Sequence, residues 1–338
     1  MPMQHDAVEL LHVIRGPLVE CVHRGHVAVW HHEEGLVAQL GDPAKRILPR
    51  SACKMIQALP LVESGAADAA GLTPAQLALS CASHAGQALH TDMVTSWLSD
   101  LGLSEADLRC GAHWPNDQEA THDLVREGRK PDQRHNNCSG KHSGFLTLSR
   151  HLGGGPEYLE LDHPVQRAVK AALADLTGEE ISDYAIDGCS APNFAMSLQG
   201  LARALSQYAV AGEMGGVRGR SMARLVEAMV AHPEYVSGER RPCTRLMRAA
   251  GGRAAIKGGA EGVYAAIVPE KRLGIALKVD DGASRGSEAA VAQLLVAAGV
   301  LDPDHPEARA VMFGPIRNCR ETVTGHYDIA TPLAALRL

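Results

Sequence analysis

Short apolar runs gather near the two ends of the chain, and helical spacing fills the middle. Residues 25–40, "GHVAVWHHEEGLVAQL", are two apolar runs around the polar turn "HHEEG", which predicts a β-hairpin. Residues 262–281 repeat the pattern, with "GVYAAIV" and "LGIALKV" flanking "PEKR". Between them, apolar residues recur at helical intervals over 51–64, after Pro49, and over 74–81 and 88–101. "DHPVQRAVKAALADLTG" (162–178) opens on an Asp cap and closes on Gly, and "SMARLVEAMVAHP" (221–233) is stopped by His and Pro. "SEAAVAQLLVAAGV" (287–300) is a late amphipathic helix with a Ser cap and a Gly stop. Strands at both ends with helices between predict an α/β fold whose antiparallel sheet comes from N- and C-terminal segments. The expected organisation is a single domain over 1–338. Its sheet part spans about 10–50 and 250–310, and its helical region about 51–249. No internal repeat is present, and no low-complexity run is longer than "GGG" at 153–155.

Composition narrows the class. The chain has 338 residues, 45% hydrophobic and 21% charged, enough to bury a sizeable core. With 4% aromatic residues, that core must be packed mainly by Ala, Val and Leu. A net charge of -6 with scattered Lys and Arg offers no basic footprint for nucleic acid, so a small-molecule partner is expected. No apolar run reaches the ~18 residues of a membrane span. The N-terminal "MPMQHDAVELLHVIRG" lacks the layout of a signal peptide, so a cytoplasmic location is expected. Eight cysteines (21, 53, 81, 110, 138, 189, 243 and 319) include no C-x-x-C pair, which argues against a disulfide scaffold. Glycine-rich phosphate loops and H-E-x-x-H are absent.

Six stretches remain that could carry chemistry. In "RSACK" (50–54), Ser51 and Lys54 share one helical face, so the lysine could take the proton of a nucleophilic serine. The same spacing equally describes an N-cap followed by a solvated lysine. "ALSCASHAG" (78–86) places Ser80, Cys81, Ser83 and His84 at the end of an apolar helix, where hydroxyls can also simply satisfy free carbonyls. "RHNNCSGKHSG" (134–144) has no apolar periodicity and is dense in polar and small residues, the composition of a binding loop. "IDGCSAPNF" (186–194) sets Cys189 beside Asp187 and Gly188, a reactive or metal site or a buried inert thiol. "IKGGAEGVY" (256–264) and "KVDDGASRG" (278–286) read as turn chemistry at hairpin ends.

Taken in order, these stretches closely resemble the asparaginase family typified by the inducible, thermolabile rhizobial L-asparaginase. "RCGAHWP" (109–115), "DHPVQ" (162–166) and "AHPEYVSGERRPCT" (231–244) fit as well, so the resemblance runs from about residue 15 to about 300. "NNCSGKH" followed some fifty residues later by "DGC" is its specific signature. The resemblance implies a sandwich similar to serine β-lactamases and glutaminases, and hydrolysis of L-asparagine to L-aspartate and ammonia by a homodimer. It implies Ser51 and Lys54 as a first Ser-Lys pair, with Ser51 the nucleophile, and Ser83 with Lys257 as a second. Cys138, Lys141 and Cys189 match a site for one Zn2+ per chain, in which a lysine amine is a ligand. Arg50, Asp187 and His142 are the candidate substrate-binding residues, Arg50 for the α-carboxylate and Asp187 for the α-ammonium. The chain departs from the β-lactamase pattern where Lys257 is followed by Gly258 and Gly259 in place of K-T-G or K-S-G. Other readings are a glutaminase, a β-lactamase or peptidase using the same Ser-Lys pair, and a zinc-dependent amino-acid-binding protein. The tail beyond about 300 carries no expected role.

Overall fold

Both hairpins expected from the apolar runs form in the computed structural model, which describes residues 6–338. The strand Leu18–His31 turns through residues 32–34 into Gly35–Leu40, with His31 opposite Gly35. Val263–Val268 and Leu273–Val279 flank the turn Pro269–Lys271, with Val268 opposite Leu273. The described residues divide into two compact units, the first holding residues up to 52 with 196–210 and 245–338, the second 53–195 with 211–244.

The first unit is built on an antiparallel sheet of eight strands. Its order is Pro315–Arg317, Val323–Ile329, Val8–Arg15, Leu18–His31, Leu273–Val279, Val263–Val268 and Ala255–Gly258, with Gly35–Leu40 also paired to Leu18–His31. Helix Leu198–Ala209 packs on the central strands, so closely that a Cβ on Gly274 would lie 2.8 Å from the Leu205 carbonyl carbon. Helix Ser284–Ala297 approaches Val279 of the same strand. Residues 274 and 279 differ by an odd number, so the two helices lie on opposite faces of the sheet. A sheet covered on both faces needs apolar residues at every position, which is why "VYAAIV" is buried throughout and shows no alternation. The tail that carried no expected role supplies the edge strand at 315–317 and its neighbour at 323–329.

The second unit is helical. Lys54–Glu63 runs through its middle and packs against Ser139–His151, Pro164–Thr177 and Gly216–Ala231. Residues 54–62 are all buried, as expected of a helix surrounded by others. Among the described residues no helix is long and apolar enough to cross a membrane.

Three local expectations are corrected. Ser51 does not cap the helix after it. Arg50–Cys53 is a 3-10 turn, closed by Ala52 N–H donating to Pro49 O at 3.0 Å, and the α-helix starts at Lys54. The helix at 164–177 is capped by the His163 side chain, which accepts from Val165 N–H, instead of by Asp162. The late helix starts at Ser284, and Ser287 lies inside it, donating to Ser284 O at 3.0 Å.

Candidate active site

The polar stretch read as a loop at 134–144 is half helix. Cys138 occupies the N-cap position of Ser139–His151, and Lys141 and His142 fall in its first turns. Serine and glycine are poor helix formers, which hides the helix in the sequence. Tertiary packing selects them: a Cβ on Gly140 would press on the Leu79 carbonyl oxygen and lie 2.5 Å from Leu79 Cγ. Only glycine lets this helix approach Pro74–Ser80 so closely, and the buried run from Ser139 to Ser149 follows from that approach.

The close packing brings Lys54, Ser83 and Cys138 together. Lys54 is 1% exposed, and its Nζ donates to Ala82 O, to Ser83 Oγ at 3.1 Å and to Cys138 Sγ at 3.1 Å. Ser83 follows the C-terminus of Pro74–Ser80, and its backbone N–H donates to Val236 O at 2.9 Å. The next residue locks this loop to the helix carrying Cys138. Gly86 N–H donates to His84 Nδ1 at 3.2 Å, so the ring proton sits on Nε2 and donates to Ser139 Oγ at 2.8 Å. Ser139 Oγ in turn donates to Arg134 O at 2.9 Å. Burial, with His90 stacked alongside, holds His84 well below the ordinary histidine range, so it is neutral.

Lys141 reaches Cys189 from the other side, with Nζ to Sγ at 3.1 Å, while Cys189 Sγ lies 3.7 Å from Asp187 Oδ2. Cys189 and Cys138 share a hydrogen bond that divides their protons unequally. The bond from Cys138, reinforced by Lys141, holds the Cys189 thiol well below the usual range. The same bond and burial push Cys138 well above it. Burial alone would lower Lys141, but the Cys189 and Cys138 sulfurs outweigh it and raise its pKa, so the pair is an ammonium donating to a thiolate. His142 is fully buried, with Nδ1 at 2.9 Å from Tyr158 Oη. Cys53, between Ser51 and Lys54, is a packing residue whose thiol burial pushes up to about 12.

The remaining expected residues lie in the sheet unit. Arg50 adopts φ +50°, a left-handed conformation that favours glycine, immediately before Ser51. Its Nη1 lies 3.9 Å from Glu261 Oε1. Strand Ala255–Gly258 carries the buried Lys257, and Gly259 after it packs under the Ser51 turn, where a Cβ would be 2.9 Å from Pro49 O and 3.1 Å from Ala52 N. A Cβ on Gly258 would fall 2.9 Å from the Tyr264 ring, so the strand has no room there for the serine or threonine of a K-[ST]-G motif. Tyr158 is the member of the site that sequence reasoning missed. It sits in an aperiodic polar stretch, and nothing in the sequence pairs it with His142.

Among the described residues, no group of three or more His, Cys, Asp or Glu is placed to hold a metal ion. Two buried thiols with a lysine amine make a different donor set, soft sulfur with nitrogen, and that chemistry fits zinc better than a hard cation. The orphaned Nε2 of buried His142, beside Cys189, agrees with a group that is still to be met there.

Comparison with known proteins adds the following. Among solved structures, this chain is similar to one from Bacteroides dorei DSM 17855 described as a β-lactamase, at 12% identity over 82% of this chain and 93% of that one, with a TM-score of 0.48. It is also similar to a Mycobacterium bovis β-lactamase, at 12% identity over 82% and 95%, with a TM-score of 0.35. No curated protein matches. The family model for L-asparaginase II matches residues 11–329, and a match over nearly the whole chain makes this protein a member of the L-asparaginase II family.

Proposed function

We propose that the protein hydrolyses the side-chain amide of L-asparagine, giving L-aspartate and ammonia, with Ser51 as nucleophile and Lys54 as its base. The observation that supports this most directly is the buried Lys54 amine, which continues the helical run begun by the Ser51 turn and reaches Ser83 Oγ at 3.1 Å, in a chain of this family.

Ser51 Oγ attacks the side-chain amide carbon, and Lys54 Nζ, in its neutral amine form with one of its three donated protons released, takes the hydroxyl proton. Backbone N–H groups of the Ser51 turn hold the oxyanion. Collapse of the tetrahedral intermediate breaks the carbon–nitrogen bond and leaves a β-aspartyl ester on Ser51. Ser83, hydrogen-bonded to Lys54, and Lys257, its partner in the second pair, carry the proton to the departing ammonia. Water then cleaves the ester, giving aspartate and restoring Ser51. Arg50 receives the α-carboxylate and Asp187 the α-ammonium. The crowding of Gly258 by Tyr264 favours an amino-acid amide over penicillin-like substrates.

Cys138, Lys141 and Cys189 would hold one Zn2+ per chain. Bound there, zinc supplies a fixed positive charge that orients the substrate. Lys141 must release its proton to become a ligand, so zinc affinity should fall as the pH drops. The reading includes a homodimer in the cytoplasm.

One coupled ammonia-release assay tests this, run on asparagine and glutamine with and without chelator, beside a nitrocefin control. Asparagine turnover that disappears in Ser51→Ala is the expected result. Substantial turnover left in Ser51→Ala would move the nucleophile elsewhere, and nitrocefin cleavage would favour the β-lactamase reading. Metal analysis should find about one zinc per chain, from the single ligand set, and none in a Cys138→Ser, Cys189→Ser double variant.

A further inference from the structure

The turn between strands Ala255–Gly258 and Val263–Val268 is fastened on two sides. On one side Gly259 lies under the Ser51 turn, and its N–H donates to Val263 O at 2.8 Å to close the hairpin. On the other side Val279 N–H donates to Gly262 O at 2.9 Å, and Lys278 Nζ donates to Glu261 O. The segment that follows Val279 is itself tied down. Asp280 N–H donates to Arg24 O at 2.9 Å, and Lys45 Nζ donates to Asp280 Oδ1 at 2.8 Å. Buried His23 accepts from Arg285 Nε at 2.7 Å, so its proton sits on Nδ1 and donates to Asp281 Oδ2 at 2.6 Å. A Cβ on Gly282 would lie 2.9 Å from Glu261 Oε2, so this glycine makes the space in which the glutamate side chain lies. Asp280, Asp281 and Gly282, read from the sequence as turn chemistry, thus hold the neighbouring turn in place.

This bracing delivers Glu261 to Arg50. Both residues have left-handed backbone, at φ +57° and +50°, a conformation that disfavours any residue with a Cβ. The Glu261 side chain is 70% exposed, so packing does not account for a glutamate where glycine would be more comfortable. Its carboxylate lies 3.9 Å from Arg50 Nη1, an ion pair too long to be a hydrogen bond. Among the described residues no hydrogen bond reaches that carboxylate, and its acceptor positions are open to a ligand.

An α-amino acid carries its carboxylate and its ammonium on one carbon, so a site for it requires a cation and an anion side by side. Arg50 and Glu261 are that arrangement, and Arg50 immediately precedes Ser51. We propose that Glu261 is a specificity residue that receives the substrate's α-ammonium while Arg50 receives the α-carboxylate. This rests on the asparagine-hydrolysis reading above. An ammonium has three hydrogens to donate, so Glu261 adds to Asp187 and does not displace it. The pair restricts the substrate to amides of zwitterionic amino acids. An amide acid lacking the ammonium would set its carboxylate beside that of Glu261 with no cation of its own, and like-charge repulsion disfavours it.

The test compares L-asparagine with succinamate, the same β-amide without the α-ammonium, in the ammonia-release assay. Glu261→Gln should lower the ratio of kcat/KM for asparagine to that for succinamate by about 10–100-fold, the weight of one charge-assisted hydrogen bond, with the loss on asparagine in KM. Glu261→Gly, whose backbone adopts φ +57° freely, should melt no lower than wild type and lose the same ratio. Affinities of L-aspartate and succinate, measured by calorimetry and needing no turnover, should converge by the same factor in both variants. An unchanged ratio, or asparagine and succinamate falling alike, assigns Glu261 to the turn alone and overturns the proposal. Wild-type protein that hydrolyses no asparagine overturns the hydrolysis reading; if it also binds no L-aspartate, the role of Glu261 falls with it.

Discussion

Replacing Gly140 by alanine sets two effects of opposite sign against each other. Within Ser139–His151, alanine is the better helix former by about 0.5–1 kcal/mol. Against that gain, the new methyl would press on the Leu79 carbonyl oxygen and sit 2.5 Å from Leu79 Cγ and 3.0 Å from its carbonyl carbon. Carbon atoms settle at about 3.5–4.0 Å, so the deficit is close to an ångström. The leucine side chain can swing, but its carbonyl cannot move without dragging the helix that leads into Ser83. Overpacking of this kind costs about 1–3 kcal/mol, and a backbone contact belongs at the upper end. The net loss is about 2 kcal/mol, or a fall in Tm of about 4–8 °C for a unit of this size.

Gly144, one turn further on, supplies the control. Its methyl would meet Leu61 Cδ2 at 3.2 Å and Ser80 Cβ at 3.4 Å, the first of these a side-chain end that can yield by tenths of an ångström. Gly144→Ala should stay within about 0.5 kcal/mol of wild type, because the propensity gain offsets the tight fit. Thermal melts followed by circular dichroism measure both. Since the same helix presents Cys138 and Lys141, asparagine turnover at 25 °C should also fall further in Gly140→Ala than in Gly144→Ala. A Gly140→Ala protein that melts at or above wild type, or matches Gly144→Ala, refutes the reasoning.

Three further predictions concern stability and binding. Burial lowers the pKa of His26, His84 and His90, so below about pH 6.5 the unfolded chain gains protons that the folded chain resists. Stability should therefore be complete above that pH and fall on acidification by up to about 1.4 kcal/mol per pH unit for each histidine. Urea midpoints between pH 7 and 5 measure the slope, and an unchanged slope in His90→Gln would count against this origin. Arg50→Gly should be more stable than Arg50→Ala by about 1 kcal/mol, because glycine alone relieves the left-handed backbone. Both should raise the KM for asparagine alike, and an unchanged KM would remove Arg50 from the substrate site. Thr147→Val strips the buried Trp97 Nε1–H of its 3.0 Å acceptor and should cost about 1–3 kcal/mol in urea unfolding.

The sequence alone carried the sheet-forming segments and most helices, because an apolar run bounded by turn residues is a local signal. The two hairpins and the helices at 74–80, 88–100 and 164–177 lie close to where their spacing put them. It also carried the ordered set of polar stretches that resembles an asparaginase family. Tertiary structure decided what local signals cannot hold. Ser139–His151 is helical because close packing on Leu79 demands glycine, whatever the propensity of its residues. Lys54 meets Ser83 and Cys138, residues 29 and 84 positions away, only because three separate segments converge on one buried point. His142 Nδ1 meets Tyr158 Oη at 2.9 Å, a partner that no spacing rule connects to it. Periodicity records which face of an element is buried, whereas the proton on a buried ring is set by whichever donors and acceptors the fold brings to its two nitrogens.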